Sequence, residues 1–189
     1  MKNILVACSC LVICISTGFQ ISKWSVFKVD NAISVLLPSK VFEMDVPKSM
    51  AANGHESASE PMVQKSQAYR AEDKVAIYVV VKIPLDEIPA IPASPNELQK
   101  FYARQAGLIV ARARGQLIQQ FIVRKPKLDI LYVRYKQLDS TGIPVTRHMA
   151  NCVIGKNIYQ FYFSPKNSAN NWHEGQSKRF LNSINRVGS

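Results

Sequence analysis

The side chains able to do chemistry are few and scattered. The histidines are His55, His148 and His173, and of four cysteines only Cys152 lies outside the N-terminal run that holds Cys8, Cys10 and Cys14. A metal site gathers three or four such ligands, and no short spacing here supplies them. The patterns GxxxxGKS/T, GxGxxG, HExxH and GxSxG are all missing, which removes the usual signatures of phosphate loops, zinc proteases and nucleophile elbows. His148 and Cys152 share one face of a segment that reads as a strand. At strand rise they stand about 13 Å apart, too far for one metal ion or for a hydrogen-bonded nucleophile and base. Cys152 therefore reads as a small buried apolar side chain. His173 and Glu174 open the last helix and can pair locally, with Trp172 beside them as a packing anchor. His55, next to Glu56 in a polar stretch, reads as a solvated loop histidine. No catalytic residue, metal ligand or cofactor-binding residue is assigned, and no cofactor is expected.

Charge is more informative. From Phe19 to Asn96 there are 8 Lys/Arg against 9 Asp/Glu, whereas Glu97 to Ser189 holds 15 against 4. An anionic partner would be drawn to that second half; the alternative is a solvated surface that only keeps the protein soluble. The cations best placed for a partner are Arg124, Lys125 and Lys127 at one turn, with Arg134 and Lys136 on one strand face. Nucleic acid is not expected, because high basicity is the only nucleic-acid-binding feature present and no recognised module accompanies it.

The elements that must position these groups centre on residues 116–163. Four runs rich in Val, Ile, Tyr and Phe occur there: QLIQQFIVR, LDILYVRYKQL, IPVTRHMANCVI and NIYQFYF. They are separated by Lys125-Pro126-Lys127, Asp139-Ser140-Thr141-Gly142 and Gly155-Lys156, and read as an antiparallel meander. A two-residue loop at Gly155-Lys156 sets Cys152 opposite Tyr159, Ala150 opposite Phe161 and His148 opposite Phe163. Before the meander, Ser94-Pro95-Asn96-Glu97 is a capping box with proline at the first helical position. Leu98, Phe101, Tyr102, Leu108 and Ile109 follow at helical spacing, and Gly115 is placed to stop the helix. A last helix starts near Asn170-Asn171, turns Trp172, Phe180, Leu181 and Ile184 inward, and ends around Arg186 to Gly188.

Further upstream, Trp24 to Val29 and Ile33 to Pro38 read as strands about an Asp30-Asn31 turn, and Val41 to Val46 as a short edge piece. Gln64 to Arg70 and Lys74 to Ile83 form a hairpin about Glu72-Asp73. The second strand is apolar on both faces, as a central strand would be. Residues 48–61 read as a polar loop, and the proline-spaced stretch from Pro84 to Pro92 as a stiff extended connector. Both faces of the meander mix apolar and polar groups, so a helix on each side is the economical arrangement.

The N-terminus is of another kind. Met1-Lys2-Asn3, an apolar run from Ile4 to Ile15, and the small residues Ser16-Thr17-Gly18 read as a secretory signal cleaved after Gly18. The run is short for a bilayer-spanning helix, which takes about 20 residues. Cys14 after Leu11-Val12-Ile13 leaves a lipoprotein as an alternative, though Ile13 is a poor fit, and retention as a signal anchor is another. The expected organisation is a signal peptide at 1–18 and a single domain at 19–189.

The order of elements resembles a known group. A strand ending in Leu36-Leu37-Pro38, a valine-rich strand, one long helix, a meander with Ile158-Tyr-Gln-Phe-Tyr-Phe163, and a closing Arg179-Phe-Leu-Asn-Ser-Ile184 are similar to the PsbP-like proteins over about residues 24–184. That group includes a photosystem extrinsic protein, a nuclear-import factor and bacterial envelope lipoproteins. The resemblance implies an α+β fold, an antiparallel sheet with helices packed on both faces (an α/β/α sandwich), used for binding or assembly and not for catalysis. It offers no catalytic residues to transfer. The expected role is that of an exported protein, periplasmic or secreted, whose basic half meets an envelope protein complex or an anionic membrane or envelope surface. The alternatives are an enzyme such as a hydrolase whose site is too scattered to read, with a concave pocket near His148 or His173, and a secreted bacterial factor acting on host targets.

Overall fold

The computed structural model describes residues 23–38, 40–48, 61–86, 92, 94–139, 141–166 and 173–188. The signal segment, His55 with nearly all of the polar loop, most of the proline-spaced connector and Trp172 lie outside the described residues. The fold is α+β and mostly antiparallel sheet. Its elements are β1 (Trp24–Lys28), β2 (Ile33–Pro38), β3 (Val41–Met44), α1 (Pro61–Gln64), β4 (Gln67–Glu72), β5 (Ala76–Pro84), α2 (Pro95–Arg112), β6 (Gln116–Lys125), β7 (Leu128–Leu138), β8 (Pro144–Ile154), β9 (Asn157–Pro165), α3 (His173–Asn182) and β10 (Asn185–Arg186).

Two sheets form where the sequence pointed to one. Seven strands pair in the order β3-β4-β5-β9-β8-β7-β6, and β1-β2-β10 make a separate three-stranded sheet. The meander from β6 to β9 folds as its turns require, and the β8–β9 register is the expected one, with Cys152 opposite Tyr159, Ala150 opposite Phe161 and His148 opposite Phe163. Gly155 takes a left-handed φ of 56° in that turn, a conformation open to glycine at little cost. β5 lies inside the sheet between β4 and β9, with Ala76, Tyr78 and Val80 fully buried.

Side-chain alternation divides the apolar residues into two clusters. Ile130 and Tyr132 of β7 join a cluster that includes Ile33, Leu37, Tyr78, Phe161 and Phe180. Leu131, Val133 and Tyr135, their neighbours on the same strand, join Leu98, Tyr102, Ala106 and Val110 of α2 and Met149 of β8.

Helix α2 starts as its capping box dictates. The Glu97 amide donates to Ser94 Oγ at 3.3 Å, and the Ser94 hydroxyl donates to Glu97 Oε2 at 3.0 Å. Its buried stripe steps by four residues through Leu98, Tyr102, Ala106 and Val110. Leu108, expected on that stripe, is exposed; at about 100° per residue it sits roughly 140° around the helix from the stripe's centre. Gly115 also acts differently from expectation. Arg114, with φ 48°, supplies the left-handed turn after the helix. A Cβ on Gly115 would lie 2.7 Å from the Lys136 carbonyl oxygen and 2.9 Å from Tyr135 Cδ2, so glycine is needed there for close approach.

The last helix is shorter than its periodicity predicts. It ends at Asn182, and Asn185–Arg186 instead pair with β2. Ser183 makes the change of direction: its hydroxyl donates to the Phe180 carbonyl at 2.6 Å and accepts the Leu36 amide at 2.8 Å.

Candidate functional site

The five cations expected to form one anionic-partner surface fall into two groups. Arg124, Lys125 and Lys127 gather at the β6–β7 turn, while Arg134 and Lys136 lie farther along β7, about 20 Å away by strand rise. In the first group Lys125 is firmly held by its own chain and Arg124 weakly. Arg124 Nε stands 3.8 Å from Asp129 Oδ1 across the hairpin, an exposed and weak pair. Lys125 Nζ donates to the carbonyls of Asn182 at 2.9 Å and Ile184 at 2.6 Å, and to Asn185 Oδ1 at 3.3 Å. It closes the C-terminal end of α3, where a cation also meets the negative end of the helix dipole. Burial holds its pKa below the usual lysine value. Lys127 occupies the turn with φ 57°, and its carbonyl accepts from Arg186 Nη1 at 3.1 Å.

Arg134 and Lys136 are different. Both are exposed, and no ion pair ties either one among the described residues. They share the strand face of Ile130 and Tyr132. Arg134 pairs across the sheet with Gln119 on β6 and His148 on β8. Together with Phe121, Tyr132, His148 and Lys178 it lines a cleft of about 240 Å³ between α3 and the sheet. His148 packs edge-on against Phe163, with ring centroids 5.8 Å apart. Glu174, on the opposite wall, pairs with Lys178 at 3.4 Å. A second cleft, about 390 Å³, lies between α2 and the same strands and is lined by Gln99, Tyr102, Ala103, Ile122 and Arg124 among others.

The exposed apolar residues beside these clefts escaped sequence reasoning. Leu117, Ile118 and Phe121 are 41–48% exposed, all on β6. The pattern QLIQQFIVR does not alternate because the pairing with β7 slips between Leu117 and Gln119. Ile118 is the extra residue, and the bulge exchanges the faces of the residues on either side of it.

Groups with strongly shifted pKa values lie in the packed interior. Burial pushes the Cys152 thiol up to about 12. Tyr132 is likewise raised to about 12, by burial first and then by Cys152. Tyr102 reaches about 12 through burial and the neighbouring Asp129. Such shifts keep these groups neutral. Among the described residues no cluster of three or more His, Cys, Asp or Glu side chains is arranged to hold a metal ion, and no helix is long and apolar enough to cross a membrane.

The element order, the meander register and the seven-stranded sheet define a PsbP-like fold. The particular likeness is to the solution structure of cyanobacterial PsbP (CyanoP) from Synechocystis sp. PCC 6803, with a TM-score of 0.57 and 13% sequence identity, covering 89% of this chain and 95% of that one. At that identity the likeness is one of fold. No protein-family model matches the chain, and no curated protein matches it in sequence.

Proposed function

We propose that the chain is an exported, non-enzymatic binding or assembly module of the cell envelope, periplasmic or secreted, that docks on a protein or membrane complex through its basic second half. On this reading residues 1–18 are a signal peptide and 19–189 form one PsbP-like domain with a polar loop at 48–61. Helices α2 and α3 cover opposite faces of the seven-stranded sheet as an α/β/α sandwich, a reading supported by the division of β7 side chains between the two apolar clusters.

The observation that carries the proposal is the β6 end of the sheet. Among the described residues Arg134 and Lys136 have no acid partner there, and they lie next to the exposed Leu117, Ile118 and Phe121. Exposed apolar groups rimmed by one sign of charge mark an interaction surface. Affinity capture of the tagged protein from gently solubilised cells, at low and high salt, tests the reading. A defined set of envelope proteins should survive high salt and be depleted by Arg134→Glu with Lys136→Glu. Capture that disappears with salt would reduce the surface to general attraction for anions, since exposed charges are screened over about 10 Å at 0.1 M, and would overturn the proposal. Intact mass tests export: the mature chain should begin at Phe19, and retention of Met1 would exclude cleavage.

A further inference from the structure

We propose that the outer edge of β6 receives an extended segment of a partner protein as an added strand, with apolar side chains on its α2 side and acidic side chains on its α3 side. The inference rests on the binding-module reading for the kind of partner and goes beyond it in naming the edge, the mode and the segment's chemistry.

The edge itself is the first argument. β6 runs for ten residues, no described strand pairs with its outer side, and it exposes Leu117, Ile118 and Phe121. Long edges with exposed apolar groups are templates for another strand, and proteins that avoid such pairing shorten, charge or bulge them. The bulge at Ile118 leaves residues 119–125 as the regular stretch of this edge. The other edge of the sheet, β3, has only four residues. On β6 the charges are confined to the end at Arg124 and Lys125, and Lys125 is bound to the end of α3.

The clefts supply the second argument. They lie on opposite faces of the sheet beside this edge, and Phe121 lines both. Gln120 and Ile122 point to the α2 side with Val133 and Leu131, while Gln119 and Phe121 point to the α3 side with Arg134 and Tyr132. A strand laid along β6 would send alternate side chains toward one cleft and then the other, which is how strand addition acquires sequence preference.

The chemistry of each side fixes what those side chains would be. The α2 cleft presents Ala103 and Ile122 over a floor of Tyr102 and Leu131, with Gln99, Gln120 and Arg124 also lining it, a largely apolar bed. The α3 cleft presents Arg134 and His148, while Lys178 and Glu174 on its helix wall pair with each other. Arg134 stands two strand spacings, about 10 Å, from an added strand, within reach of a facing carboxylate because the intervening Gln119 is uncharged. A second copy of β6 would bring no carboxylate to Arg134 and Lys136, because QLIQQFIVRK holds no Asp or Glu.

The test uses the intact mature chain and fluorescein-labelled peptides as long as β6, ten residues: alternating Val-Glu, alternating Val-Lys, and Val-Glu methylated on alternate backbone nitrogens. The Val-Glu peptide should bind about tenfold or more tightly than Val-Lys, a difference of about 1.4 kcal/mol. Methylation should cost a similar factor, because it removes main-chain donors and keeps every charge. Amide exchange at residues 116–125 should slow in the complex. No binding of Val-Glu, equal binding of the methylated peptide, or protection elsewhere overturns the proposal, as does a dimer in sedimentation that Phe121→Glu dissolves. Affinity capture with Ile118→Lys and Phe121→Glu separates this inference from the broader reading. An unchanged set of captured envelope proteins would refute the edge and leave the assembly role standing. A wild-type chain that binds Val-Glu at β6 but captures nothing would support the edge and remove that role.

Discussion

The two ends of the seven-stranded sheet are finished in opposite ways. Toward β3, β4 and β5, the three-stranded sheet is fastened to it by aromatic contacts and one carboxylate. Trp24 meets Tyr78 edge-on with centroids 5.2 Å apart, and Phe27 meets Tyr69 at 5.0 Å. Asp30 accepts from Lys82 Nζ and from the Tyr159 hydroxyl, each at 2.7 Å, and from the amides of Ala32 at 2.8 Å and Ile33 at 3.2 Å. At the β6 end, Phe121 stacks on Tyr132 with centroids 5.1 Å apart yet remains 48% exposed, and Arg134 has no acid partner among the described residues. One end uses its polar groups to hold the chain together. The other leaves apolar area and charge facing outward, where they add little to folding.

The largest expected break in this comparison comes from its aromatic core. Tyr78→Ala, at a fully buried site on β5 in contact with Trp24, should cost about 3–5 kcal/mol in urea unfolding, whereas Phe121→Ala should cost less than about 1 kcal/mol. Equal losses would erase the distinction between the ends. Asp30→Asn should cost about 2–3 kcal/mol, since it weakens a mostly buried, charge-assisted network. Burial alone raises the Asp30 pKa, but the bonds from Lys82, Tyr159 and Ala32 outweigh it and the net shift is downward. The stability it contributes is therefore fully present above the unfolded-state value of about 3.9 and is lost as pH falls through the lower folded-state value. Unfolding free energy measured across that acid range should flatten in Asp30→Asn.

Gly115→Ala should cost about 1–3 kcal/mol by forcing a methyl group against the Lys136 carbonyl. Thermal unfolding with no loss would show that α2 and β7 can separate there. Among the cations, Lys125→Met should cost about 1–2 kcal/mol through the freed ends of α3, while Arg134→Ala and Lys136→Ala should stay within about 0.5 kcal/mol. A large effect of Arg134→Ala on unfolding would mean that the open end is structural after all. The smallest signal is chemical. Cys152, fully buried and with its thiol pushed up to about 12, should react with a thiol reagent only after denaturation, and rapid labelling of the native chain would contradict its placement.

Much of this fold is legible from local rules. The capping box at Ser94, the Gly155-Lys156 turn and the alternation of β7 each depend on a few neighbouring residues, so start, register and face can be read along the chain. The register of β8 and β9 follows from a two-residue loop because side-chain direction repeats every two residues. Less could be said of the site. Lys125 looks like any turn lysine until α3 arrives with its free carbonyls 57 and 59 residues later in the chain. Asp30 reads as a turn former, and its bonds to Lys82 and Tyr159 exist only once two sheets meet. The bulge at Ile118 depends on the partner strand, so the outward display of Leu117, Ile118 and Phe121 has no signature in β6 alone.

Composition, charge asymmetry, the strand meander and the helix start were thus settled along the chain, because hydrophobic period, turn chemistry and capping act over a few residues. Which cations are held and which stand free, which apolar residues face outward, and where the two clefts open were settled only when distant segments packed. Those features depend on partners far away in sequence, whose meeting is driven by non-directional burial of apolar surface and completed by hydrogen bonds that form only at short range.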